Sequence, residues 1–153
     1  MKAEGRRQKA EVLSSLLGYP DRDLLRRAAE NADDFYAEVK HVSLDGLEEL
    51  YTRTFDLNPV ASLDLGWHLY GEQYERGRLL AELRGRQAKL GIDSGTELPD
   101  HLTVVLRMLR YLDGNDPLRG QFAAAIAKIR ATLDEQGNPY RHLIRAAEAE
   151  VTC

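Results

Sequence analysis

This sequence predicts an all-α fold, a single-domain helical bundle of six or seven helices, and three observations carry that prediction. Apolar residues recur at intervals of three and four along most of the chain. No stretch alternates apolar and polar residues as a half-buried strand requires. Clusters of Gly, Pro, Asn and Asp separate the periodic segments at turn-like intervals. At 153 residues, without repeats, low-complexity tracts or a linker, the chain fits one domain spanning 1–153. A domain of this size buries about 70% of the surface its unfolded chain exposes and needs no staple.

After Pro20, the residues Leu24, Leu25, Ala28, Ala32, Phe35, Tyr36 and Val39 form one apolar stripe, on a helix that opens with Asp21 and Asp23. Ser43 is placed to cap the next helix, whose face is Leu47, Leu50, Tyr51, Thr54 and Phe55. The pattern then breaks: Asn58-Pro59 starts a turn, and Gly66 and Gly71 flank aromatic residues. Helical order resumes from about Glu72 to Leu90, with Glu72–Arg76 and Glu82–Arg86 spaced as i,i+4 ion pairs. Pro99 stands at the start of a helix apolar around nearly its whole circumference, from Leu102 to Leu112, which predicts the central helix of the bundle. Asp113 to Pro117 is a turn, followed by Leu118, Phe122, Ile126, Ile129 and Leu133 on one face. Asn138-Pro139 reads as an N-cap with a first-turn proline, and the last helix buries Tyr140, Leu143, Ile144, Ala147 and Val151.

Composition excludes several functions. A net charge of -4 argues against nucleic-acid binding, which needs a basic face to displace counterions from phosphates. The single cysteine, Cys153, has no intramolecular partner, so no internal disulfide or multi-cysteine metal cage is expected. Arg6 and Arg7 look like the twin arginines of an export signal, yet the apolar run behind them, Val12 to Leu17, is short and carries two serines. No segment approaches the roughly 20 apolar residues that span a bilayer, so no membrane insertion is expected. His41, His68, His101 and His142 stand far apart and form no paired ligand motif, and no metal or other cofactor is expected. The arginines at 76, 78, 84 and 86 are interspersed with Glu72, Glu75 and Glu82, the pattern of a solvated, salt-bridged face.

The interruption itself is the informative segment. Tyr51, Phe55, Trp67, Tyr70 and Tyr74 are five of the eleven aromatic residues. They fit a core, and Phe55 in particular does; Trp67, Tyr70 and Tyr74 also combine a large apolar body with a polar handle, which suits a partly wet recognition surface. Beside two glycines and a proline turn they outline a peptide-docking groove.

The same segment resembles a family. Tyr51-Thr52-Arg53-Thr54-Phe55-Asp56-Leu57, Ser62-Leu63, His68-Leu69-Tyr70-Gly71-Glu72, Glu75-Arg76-Gly77 with Leu79-Leu80, and Glu97-Leu98-Pro99-Asp100-His101-Leu102 occur in the order seen in NarJ-type chaperones. These are the nitrate reductase delta-subunit or molybdenum-cofactor assembly proteins, related more distantly to TorD and DmsD redox-enzyme maturation proteins. Glu72 departs from the family's usual Asp. The resemblance implies a cytoplasmic, non-catalytic helical chaperone, monomer or dimer. Its partner would be the N-terminal, signal-type peptide of the catalytic subunit of a molybdopterin-dependent oxidoreductase, held until the molybdenum cofactor is inserted. The peptide-facing positions it implies are Tyr51, Phe55, Asp56, Trp67, His68, Tyr70, Glu72, Tyr74, Arg76, Asp100 and His101. Asp56 and Glu72 would pair with peptide arginines, and the aromatics would hold its apolar side chains. Two other readings stand beside it: a helical adaptor for an unrelated protein, and a small metal- or nucleotide-binding enzyme using His68, His101, Asp56 and Asp100.

Overall fold

The computed structural model describes residues 2–152, and among them the chain forms α-helices joined by turns, with no β-strand. Cys153 lies outside the described residues, as do the side chains of Arg6 and Arg7. In order, the helices are α1 (Lys2–Leu16), α2 (Leu24–Asn31), α3 (Asp33–Val39), α4 (Leu44–Tyr51), α5 (Leu65–Tyr70), α6 (Tyr74–Leu90), α7 (Leu102–Met108), α8 (Pro117–Gln136) and α9 (Arg141–Thr152). A π-helical turn, Thr52–Asp56, extends α4, and 3₁₀ turns occupy Pro59–Ala61 and Leu109–Tyr111. Nine α-helices among the described residues exceed the six or seven expected. The surplus comes partly from the short α5 inside the interrupted segment and partly from a break at Ala32.

That break is legible only in three dimensions. Ala32 leaves the helical region at φ -148°, ψ 72°, while its N–H still reaches Ala28 and its carbonyl accepts from Tyr36, so α2 and α3 meet with few backbone groups lost. Asp33 and Asp34 then sit in the first turn of α3, where carboxylates are favourable, and Leu24, Ala28, Phe35 and Val39 are all buried.

The cap expected at Ser43 forms, and Asp116, in a segment that reads as a turn, caps α8. Ser43 Oγ accepts from Gly46 N–H at 3.1 Å, and Asp116 Oδ1 accepts from Leu118 N–H ahead of Pro117. Asn138 Oδ1 accepts from Tyr140 N–H in the turn that leads into α9. α7 is the central helix: Leu102, Thr103, Val104, Val105, Leu106 and Met108 are all buried, with α1 packed against it. α8 packs along α9 and receives α5 across its other contacts.

An aromatic cluster joins these layers. Tyr140 lies 5.0–6.0 Å, centroid to centroid, from Phe55, Phe35 and Tyr51, and the Tyr51 ring is 5.1 Å from Phe55. Tyr51 and Phe55 are each only 4% exposed, so they support the segment from inside the core. Burial pushes the phenol pKa of both Tyr51 and Tyr140 well up. The two hydroxyls differ: Tyr51 OH donates to Leu17 O at 3.1 Å, whereas Tyr140 OH is buried with no hydrogen-bond partner among the described residues. A buried unpaired hydroxyl costs about 1–3 kcal/mol. Tyr140→Phe is therefore expected to raise the urea midpoint, by about 1 kcal/mol in stability, and Tyr51→Phe to lower it by a similar amount. Chemical denaturation of both variants checks the contrast.

Candidate functional site

Two loop segments pair edge to edge at the centre of the candidate site. Leu102 N–H donates to Leu63 O at 2.8 Å and Leu65 N–H to Asp100 O at 3.0 Å, forming an isolated antiparallel bridge between Asp64 and His101. This lateral pairing keeps residues 98–101 out of the helix, so α7 begins at Leu102 rather than at Pro99. His101 is its N-cap, with Nδ1 accepting from Thr103 N–H.

Asp100 is thus not a first-turn residue. Its side chain points inward and is fully buried, with Oδ2 accepting from Gly66 N–H at 2.9 Å and from Arg76 Nε–H at 3.3 Å. A Cβ at position 66 would lie 2.5 Å from that oxygen, so only glycine lets the two segments approach this closely. Arg76 also faces Asp64 Oδ2 at 3.7 Å. The predicted Glu72–Arg76 pair therefore does not form: Glu72 precedes α6 and is exposed, and the buried carboxylate takes the guanidinium instead. Glu82–Arg86 does pair, at 3.8 Å.

In front of this lock runs a groove. One pocket of about 170 Å³ is lined by Phe55, Asp56, Ser62, Leu63, Asp64, Glu97 and His101. A second, of about 210 Å³, shares Phe55, Asp56, Ser62 and Asp64 with the first and adds Pro59, Trp67 and Arg76. A third, of about 480 Å³, shares Pro59 and Trp67 and continues over Val60, His68, Lys128, Ala131 and Thr132. The groove is thus acidic at one end and largely apolar at the other. Desolvation, together with Glu97, pushes the Asp56 carboxyl pKa up. Desolvation, reinforced by Asp100, does the same to Asp64. His101 Nδ1 accepts from Thr103, so a neutral ring carries its proton on Nε2, 3.5 Å from Glu97 Oε2.

Comparison with known proteins decides the family: the model of the nitrate reductase delta subunit matches residues 20–145. The chain belongs to that family. Among its relatives is the nitrate reductase molybdenum cofactor assembly chaperone NarJ of Escherichia coli K12, 28% identical over 149 residues, covering 84% of this chain. Another is NarW of the same strain, named a probable assembly chaperone of the same kind, 26% identical over 149 residues and 89% of this chain. The chain spans about 63% of NarJ and 64% of NarW. These relatives are named chaperones, not enzymes. In fold, the chain matches a crystallised Archaeoglobus fulgidus protein described as a candidate redox enzyme maturation protein. The TM-score is 0.69 at 22% identity, over 94% of this chain and 91% of that one.

Within this family member the predicted positions separate. Phe55, Asp56, Trp67, His68, Arg76 and His101 line the groove. Asp100 lies behind it and Tyr51 in the core. Tyr70 turns toward α8, its hydroxyl donating to Gln121 Oε1 at 3.3 Å, and Tyr74 is exposed. Neither they nor Glu72 line the groove. The residues that local patterns missed are Asp64 and Glu97, whose convergence with Asp56 depends on the lateral pairing of two loops.

Other features do not favour the enzyme reading. His68 Nε2 is 2.6 Å from Ser62 O, with desolvation lowering the imidazole pKa, and Asp100 is held by Gly66 and Arg76. Among the described residues no group of three or more His, Cys, Asp and Glu is placed to hold a metal ion. No described helix is long and apolar enough to cross a membrane. A roomier cavity, about 600 Å³, lies elsewhere, between α1, the α2–α3 junction and α9, and is lined by none of the predicted positions.

Gly66→Ala is expected to destabilise the fold by more than about 2 kcal/mol, because the added methyl displaces a buried carboxylate from its donors. Asp100→Ala, which leaves Arg76 without its closest partner, is expected to cost about 3–5 kcal/mol. Thermal melts of both variants test this: midpoints unchanged from the native protein would dissolve the lock.

Proposed function

We propose that this protein is a cytoplasmic, client-specific chaperone for assembly of a molybdenum-cofactor enzyme. Its groove binds a basic segment at the N-terminus of the client's catalytic subunit. The observation that carries the reading is the convergence of Asp56, Asp64 and Glu97 on one small pocket, with Arg76 turned back onto Asp100 and Asp64. Family membership and the names of NarJ and NarW support the client class. Three carboxylates in a partly desolvated pocket repel one another, and a guanidinium or ammonium from a peptide relieves that repulsion while pairing with them. Holding the segment until the cofactor is in place would keep an incomplete subunit from its membrane partner.

The test combines capture and titration. Purified from its host grown anaerobically, the tagged protein is expected to bring down a molybdopterin oxidoreductase catalytic subunit. A synthetic peptide of that subunit's N-terminus is expected to bind, and Asp64→Asn or Glu97→Gln to weaken it roughly tenfold, about 1.4 kcal/mol. Absence of such a subunit, or equal affinity in both variants, would refute the reading.

Proton linkage sharpens it. Asp56 and Asp64 have folded pKa values raised above the ordinary 3.8, so in the free protein their ionised forms are disfavoured. That penalty is present above the raised values and vanishes as pH falls through them. At neutral pH, Asp64→Asn is therefore expected to melt a few degrees higher than the native protein, because the upward shift remains after the contact with Arg76 has been counted. Cation binding runs the other way. It needs both carboxylates ionised, so peptide affinity is expected to decline on acidification at a higher pH than unperturbed aspartates would give, as calorimetry across a pH series would record.

A further inference from the structure

We infer that the groove reads one cation and one bulky apolar side chain, in two compartments divided by Pro59 and Trp67, and that Lys128 bars a second cation. This rests on the peptide-binding reading above and specifies the ligand it takes.

Pro59 and Trp67 line both the acidic pocket and the apolar one, so they form the ridge between them. Trp67 Nε1–H is committed to Pro59 O at 3.0 Å. This bond holds the indole in place and leaves the ring, with no free polar handle, for packing. On the acidic side stand Asp56 and Asp64, with Glu97 beyond; Arg76 lines the same compartment, with its guanidinium turned onto Asp100 and Asp64. The other compartment is lined by no carboxylate; its surface is Pro59, Val60, Trp67, Ala131 and Thr132, with His68 and Lys128 at its edge. Val60 is 61% exposed and the nearby Leu57 76%, an unusual outlay of apolar surface for a turn. At about 480 Å³ this compartment accommodates an aromatic or long aliphatic side chain.

Lys128 fixes the selectivity. Its Nζ donates to His68 O, the carbonyl of a residue near the end of α5, at 2.8 Å, which anchors the ammonium at the rim of the apolar compartment. A ligand cation placed there meets a like charge and no counter-charge, whereas across the ridge it meets carboxylates. A pair of adjacent basic residues therefore cannot fill both compartments: one is held, and the other is left to solvent. The ligand recognised best is a segment in which a single Arg or Lys is followed or preceded by a large apolar residue.

The test uses synthetic peptides with one Arg and one Phe at varied spacing in a Gly/Ser background, and partners in which Phe is replaced by Ala or by Arg, or Arg by Ala. Trp67, the sole tryptophan, reports occupancy of the ridge through its emission. Peptides carrying Arg and Phe at the favoured spacing are expected to bind and shift the Trp67 emission to the blue. Replacing Phe by either Ala or Arg is expected to weaken binding roughly tenfold. Ala131→Glu, at an exposed position of α8, is expected to remove the advantage of Phe over Ala. Lys128→Glu, likewise exposed, is expected to favour the Arg/Arg peptide, and circular dichroism confirms that both variants are folded.

Tight binding of the Arg/Arg peptide to the native protein, or indifference to Ala131→Glu, would overturn the two-compartment inference while leaving peptide binding intact. Failure of every Arg-containing peptide, or affinity unmoved by Asp64→Asn, would overturn the peptide-binding reading and this inference with it.

Discussion

One buried carboxylate organises the central part of this molecule. Asp100 Oδ2 accepts from the Gly66 N–H in the first turn of α5 and from the guanidinium of Arg76 on α6, while the Asp100 carbonyl accepts from Leu65 N–H. A charge taken out of water costs several kcal/mol unless partners replace the water. The partners here come from two helices, so satisfying one oxygen fixes both relative to the start of α7. The match is incomplete: Asp100 Oδ1 and the Arg76 NH2 nitrogen are buried without hydrogen bonds.

From that lock follows the character of the groove. Arg76 stands beside the acidic pocket, but its commitment to Asp100 and Asp64 leaves Asp56 without that cation, while Glu97 has only His101 Nε2, at 3.5 Å. The carboxyl pKa values of Asp56 and Asp64 are raised because burial outweighs their compensation. Carboxylates kept under-compensated in the free protein gain most from an incoming cation. On the proposed reading, the free energy the empty groove forgoes returns when the client peptide binds, and the apolar side of the ridge adds selectivity.

Much of the fold could be read along the chain because the relevant forces are local. Ser43 and the apolar faces of α8 and α9 follow from capping and a period of 3.6. The break at Ala32 could not be read this way, since the stripe continues in register across it and only packing of Phe35 beneath Tyr140 reveals the turn. The site was legible in part. Trp67, Asp56 and His101 lie in the groove, while Tyr51 shares the helical period of Leu47 and goes inward with it. Glu72–Arg76 has the spacing of an ion pair, but Asp100, distant in sequence, competes for the same guanidinium and wins by being buried. Asp64 and Glu97 escaped notice for the complementary reason: both lie beside or within the family signatures, but only a bridge between loops turns them toward Asp56.

Site-specific photo-crosslinking in the native host is the most direct test that this groove holds a client. A benzophenone amino acid would be placed at Val60 and at Glu97 in the groove, and at Lys9 beside the larger cavity as a control. The result expected is crosslinking from positions 60 and 97, but not from position 9, to the first residues of one molybdoenzyme catalytic subunit. Crosslinks to that subunit from position 9 alone, or none to it from the groove, would contradict the assignment of the binding surface.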